Sequence, residues 1–274
     1  GFQLKFADTS AFGDDTSGNT NDYTSNNFVA ADQLEDTPTN SVDDGIGNFD
    51  TLDPTPRGPA AGTITDGNLT IIGGGNYTLY SSQIPITGDD KKHIEFTVSS
   101  VDASSRLGFI RIPSATLLTN AFDSPHENWG INGEADSKYN GPVIVSTAPN
   151  FVNGDRVTLE IDKAAGDVFM WVNGVARNGG ASMYTGASKT ALADVGAVVT
   201  AMEQYSNPRS STVNFGASGF VDTPTAGYTA VATQNLLATH PLYTGTSAQY
   251  RAGVQVYNEP IATISGGNQG YCFR

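Results

Sequence analysis

Five Asn-Gly dipeptides, at 132–133, 140–141, 153–154, 173–174 and 178–179, set the strongest constraint on what this chain can fold into. Both residues of such a pair tolerate positive φ, which the tight turn of a two-residue β-hairpin demands. The pair at 173–174 follows Val168-Phe-Met-Trp-Val172 and precedes Val175, which reads as strand, turn, strand. Elsewhere the apolar residues recur on a period of two: Leu69 and Ile71, then Ile94, Phe96 and Val98, then Val157, Leu159 and Ile161. The run at 168–172 is apolar at every position, which predicts a strand covered on both faces with Trp171 in the core.

Helical periodicity is nearly absent. One short helix or loop is expected around Ala187–Ala193. Glycine contributes 31 of the 274 residues, more than the roughly 7% of average proteins, which suits short strands and tight turns rather than long helices. The expectation is an all-β chain, an antiparallel β-sandwich. No repeat of propeller or solenoid length is visible. Three segments are expected: a loop-rich stretch over 1–62 that opens with a strand at Phe2, Leu4 and Phe6, a sandwich over 63–236, and an extension over 237–274. The extension carries alternation at Val254, Val256, Ile261 and Ile264, and reads as an extra strand, a wrapped tail or an assembly tail.

Charge excludes several partners. With 14 Lys+Arg against 28 Asp+Glu the net charge is −14, and the few basic residues are scattered, so neither nucleic acid nor an anionic membrane surface is expected. No apolar run reaches the roughly 20 residues of a membrane-spanning helix. The single cysteine, Cys272, permits no intrachain disulfide.

Enzyme motifs fail. There is no Gly-x-Ser-x-Gly, no His-Glu-x-x-His, no P-loop and no Gly-x-Gly-x-x-Gly. His93, His126 and His240 stand apart in loop-like sequence and read as solvated or turn residues. Glu160 and Asp162 alternate onto one strand face, where a sugar-cleaving sandwich would place acids. The third acid such a strand would carry is replaced by Lys163-Ala-Ala-Gly166, so the expectation is a protein without catalysis. No cofactor is implied. Acid clusters at 14–15, 43–44 and 89–90 read first as solvated loops. If calcium binds, the best oxygen donors are Asp43, Asp44 and Asp50. Candidate ligand contacts are Glu127, Asn128 and Trp129 with Tyr139, in or beside a polar stretch, since tryptophan and tyrosine offer a stacking face and a polar edge.

Two resemblances follow from longer stretches. Asn153-Gly-Asp-Arg-Val-Thr-Leu-Glu-Ile-Asp162, then Asp167-Val-Phe-Met-Trp-Val-Asn-Gly174, resembles the centre of SPRY (B30.2-like) domains. Ala197-Val-Val-Thr-Ala-Met-Glu203, Val213-Asn-Phe-Gly216 with Phe220, and Trp129-Gly-Ile131 resemble further strands of that family in the same order. The resemblance spans roughly 63–236 and implies a concanavalin-like sandwich that binds proteins more often than sugars. The opening Leu4–Thr24 stretch, Asp36-Thr-Pro-Thr-Asn40 and Asn48-Phe-Asp-Thr-Leu-Asp-Pro54 resemble the lead-in of phage structural proteins. The insertion Ser41-Val-Asp-Asp-Gly-Ile-Gly47 between the last two makes Val42 and Ile46 candidate contact residues. That second resemblance implies a virion, extracellular protein of tail-fibre or appendage type. Its partners would be other virion proteins and a host-surface glycan or protein, and it would form homo-oligomers. A purely structural capsid decoration or fibre subunit, and a glycan-active enzyme, are the alternatives.

Overall fold

A computed structural model describes residues 1, 3, 4, 8, 10–26, 48–55, 60–75, 77–100, 105–112, 128–133, 137–140, 143–146, 151–205 and 209–236. The strands are β1 (Thr63–Thr65), β2 (Thr70–Ile72), β3 (Thr78–Ser81), β4 (Ile86–Thr87), β5 (Lys91–Ser100), β6 (Arg106–Ile112) and β7 (Asn128–Asn132). They continue with β8 (Ser137–Asn140), β9 (Val143–Ser146), β10 (Arg156–Asp162), β11 (Asp167–Val172), β12 (Val175–Ala176), β13 (Ala197–Gln204) and β14 (Ser210–Asn214). Among the described residues one α-helix, α1 (Gly186–Asp194), falls where a short helix or loop is expected.

All pairings between these strands are antiparallel, and they form two sheets. The first runs β1-β2-β14-β5-β10-β11-β12 and the second β3-β13-β6-β7-β8-β9, with β4 also on β13. Period-two alternation turns Ile94, Phe96, Val98, Val157, Leu159, Ile161, Val168, Met170 and Val172 of the first sheet into one core. Leu107, Phe109, Trp129, Ile131, Val198 and Met202 of the second sheet belong to the same core. The expected antiparallel sandwich is therefore what forms. The same alternation corrects the reading of 168–172: Phe169 and Trp171 point outward and are only half-buried.

The hairpin at Asn173-Gly174 forms as expected, with φ of 52° and 76° at its two residues. Asn173 also accepts the Arg156 N–H on Oδ1 at 3.0 Å and donates Nδ2 to Asp155 at 2.7 Å, which ties the turn to the start of β10. Among the described residues of the amino-terminal end Leu4 and Asp15 form an isolated bridge, and Phe2 and Phe6 lie outside the described residues. The strand pattern expected at 254–264 lies outside them too.

Two irregular segments complete the unit. Residues 216–230, here the strap, leave the end of β14 and cross the outer face of the first sheet. They return so that Thr229 exchanges backbone hydrogen bonds with Lys91 and His93 of β5. Residues 48–53 form a clasp: Phe49 bridges Ala232, Asp50 N–H donates to Val231 O, and Leu52 bridges Ser82.

Candidate functional site

The outward residues of the first sheet meet beneath the strap. In register, Glu160 of β10 lies opposite His93 of β5, and Thr158 lies between Glu95 of β5 and Trp171 of β11. Because their neighbours in sequence fill the core, these five side chains share the other face.

The strap is held to that face by carboxylates. Glu95 accepts the Val221 N–H on Oε2 at 3.1 Å and the Asp222 N–H on Oε1 at 2.6 Å. Glu160 accepts the Thr225 N–H at 2.8 Å and His93 Nδ1 at 2.9 Å, both on Oε1. Asp222, on the strap itself, is held by Arg156 Nη2 at 2.6 Å and by the Thr158 hydroxyl at 2.7 Å. Phe220 covers the imidazole of His93, with ring centroids 4.4 Å apart and the rings edge to face.

Beside this cluster lies a pocket of about 200 Å³, to which the sheet contributes His93, Thr158, Glu160 and Trp171 and the strap contributes Asp222, Thr223 and Thr225. His93 and Glu160 are almost wholly buried; Glu160 keeps Oε2 without a hydrogen-bond partner, while His93 Nε2 faces Glu95 Oε1 at 3.7 Å. With a carboxylate facing each ring nitrogen, His93 is placed to carry both N–H protons as an imidazolium.

The charges support one another. Burial disfavours a charged His93, but hydrogen bonds to Glu160 and Glu95 and the charges of both outweigh it and raise the group above its ordinary value. Burial would raise Glu95 and Glu160. In Glu95 the bonds from His93 and from the Asp222 and Val221 amides prevail, in Glu160 those from His93 and Thr225, and both acids sit below the usual range. Asp222 behaves alike, burial being outweighed by Arg156 and Thr158. The cluster can therefore hold ionised acids under cover, and its unfilled capacity is for hydrogen-bond donors.

The residues singled out from sequence fall elsewhere. Trp129 is 0% exposed, and its indole N–H donates to Ser188 O of α1 at 3.0 Å, so it is a core residue rather than a contact surface. Asn128 is buried beside it in β7. The backbone of Tyr139 lies in β8, while Glu127, Val42, Ile46, Asp43 and Asp44 lie outside the described residues, as do His126 and His240. Asp50, offered as a calcium ligand, is a buried backbone acceptor. Its Oδ1 takes the N–H groups of Thr51, Gln83 and Ile84. Burial outweighs those bonds and pushes it up to about 7. Among the described residues no three metal-binding side chains are grouped. His93 is buried and bonded, not solvated as expected.

His93, Glu95 and Trp171 had one legible signal, the parity that places them opposite Ile94, Phe96 and Met170. Asp222 and Thr225 had none, since the strap has no alternation.

This arrangement defines an antiparallel sandwich with a small acidic pocket roofed by a strap. No protein-family model matches the chain, and no curated protein matches it. Solved structures with a similar course include the SPRY domain of human HERC1, at 15% identity and TM-score 0.47, covering 59% of this chain and 96% of that one. The TRIM65 PSpry domain is similar at 12% identity and TM-score 0.45, covering 61% and 90%. A human SPRY domain is similar at 16% and 0.40, covering 55% and 93%.

Proposed function

We propose that this chain is a non-catalytic recognition subunit of a phage or phage-like particle, a SPRY-like sandwich that attaches the virion to a host surface or to neighbouring virion proteins. The observation that carries the recognition reading is the commitment of the acids. Both oxygens of Glu95 hold strap amides, and Glu160 Oε1 holds another together with His93. A catalytic acid must reach substrate and change protonation, whereas these acids hold the strap in place. What they leave is a preformed pocket with one half-buried tryptophan, on a rigid two-sheet scaffold. The virion setting draws on the resemblance at 36–40 and 48–54. Many copies on one particle would turn a weak single contact into avidity.

The test is light scattering on the eluting protein, followed by binding of the same sample to host-envelope polysaccharide and to disassembled virion proteins. Saturable binding without glycan turnover, weakened about tenfold by Trp171→Ala, is the expected result. A stable oligomer that binds neither would mark a purely structural subunit. Glycan cleavage lost on Glu160→Gln would mark an enzyme.

A further inference from the structure

We infer that the pocket between β10, β11 and the strap receives an arginine side chain of a partner polypeptide, its guanidinium set against Trp171 and Glu160. The inference rests on the reading of this site as a recognition pocket and names the chemistry that it takes.

Three observations converge on that chemistry. The first is size: about 200 Å³ is below the roughly 300–1,000 Å³ of pockets that enclose drug-sized molecules, and suits one side-chain head group. The second is hydrogen-bonding capacity. Glu160 is 2% exposed, lines the pocket and has no partner for Oε2. A buried carboxylate oxygen without a partner is costly, and a donor that also carries positive charge relieves that cost most fully. The third is local charge. Glu95, Glu160 and Asp222 meet here against two cations, Arg156, engaged by Asp222 at 2.6 Å, and His93, held by Glu160 and Glu95, so one negative charge is left in excess.

The distinction from a sugar follows from the same facts. A hydroxyl cluster needs donors as well as acceptors from its site. Here the Thr158 hydroxyl is spent on Asp222 and the Thr225 N–H on Glu160. Trp171 offers a guanidinium plane a π face to stack on, and a planar, weakly hydrated guanidinium suits a site between an indole and a carboxylate better than the point charge of lysine.

The experiment titrates the full chain with acetyl-arginine-methylamide, its lysine counterpart and its citrulline counterpart, which keeps the shape of arginine without its charge. Amide chemical shifts of β10, β11 and the strap report binding. Saturable shifts are expected with arginine, with lysine at least threefold weaker and citrulline at least tenfold weaker. Trp171→Ala, at a half-buried position outside the strap's hydrogen bonds, should weaken arginine about tenfold. Glu160→Gln should weaken it further, and its strap amide shifts show whether that variant keeps its fold.

Equal binding of citrulline, or arginine binding indifferent to Trp171→Ala, would overturn the inference. Trp171-dependent binding of envelope polysaccharide with no arginine response would overturn it while leaving the recognition reading intact. Failure of every probe and every virion partner would remove both.

Discussion

Asp50 illustrates how one buried side chain can carry a pH dependence for the whole molecule. It is 2% exposed, and its Oδ1 accepts three amide N–H groups that fix the link between β3 and β4 to the clasp. Burial takes it from 3.8 to about 7 despite those bonds. The raised value sets the sign: the folded state holds a proton that the unfolded chain has already released. The contribution is complete below about 3.8 and is lost as pH rises towards 7. A carboxyl raised from 3.8 to about 7 corresponds to on the order of 4 kcal/mol. Asn at this position keeps the acceptor and loses the titration. Denaturant titrations of Asp50→Asn between about pH 4 and 7 should therefore show a flatter stability profile than the parent chain. An unchanged slope would mean that Asp50 is ionised throughout. The two tryptophans show the limits of local reading at this scale. Trp129 sits among polar neighbours yet is buried, because β7 is an inner strand of its sheet, whereas Trp171 sits among apolar ones yet faces outward. Parity turns Trp171 outward, opposite the buried Met170 and Val172, whereas every residue of β7 is buried, whichever face it lies on.

At the scale of elements, the strands and the Asn173-Gly174 hairpin were legible because their signals are local: alternation, and a turn pair that accepts positive φ. The strap was not legible, because it has no periodicity and is held by side chains remote in sequence, Glu95 and Glu160. Its anchorage has a pH window of its own. The raised His93 contributes fully below its ordinary value of 6.5 and loses that contribution as pH climbs through its folded value. The lowered glutamates contribute fully above 4.5 and lose it as pH falls through theirs. The strap should be held best between those limits. Glu95→Gln tests the anchorage directly, since Gln keeps one acceptor and turns an NH₂ group towards one of the two amides that Glu95 now receives. A hydrogen bond to a charged group contributes about 1.5–3 kcal/mol, so exchange of the Val221 and Asp222 amides should quicken by roughly 10- to 100-fold. Amides in β13, on the other sheet, should be unaffected. Unaltered protection at 221 and 222 would show that Glu95 does not hold the strap.

For the whole molecule, the controlling fact is that the sandwich closes through segments far apart in the chain. β2 pairs with β14, β3 pairs with β13, and the clasp at 48–53 joins Ser81 and Ser82 to 231–233. That clasp precedes residue 63, where the regular alternation starts, so the folding unit is expected to run from 48 to 236 rather than from 63. Leu52 is 0% exposed, and burying such a side chain is worth about 1.5–3 kcal/mol. Loss of Asp50 would also strip the Gln83 and Ile84 amides of their acceptor, at about 1–3 kcal/mol each. Together these terms rival much of the roughly 5–15 kcal/mol by which a domain is stable. By contrast, hydrogen bonds such as Gln3 N–H to Asp15 and Tyr23 N–H to Gly13 O join described residues of 1–26 to one another. A chain beginning at 48 should therefore unfold cooperatively near the denaturant midpoint of the full chain. One beginning at 56, without the clasp, should unfold at a much lower midpoint or without a sharp transition. Matching midpoints for the two truncations would show that the clasp is an accessory and that the two sheets from 63 onward are stable alone.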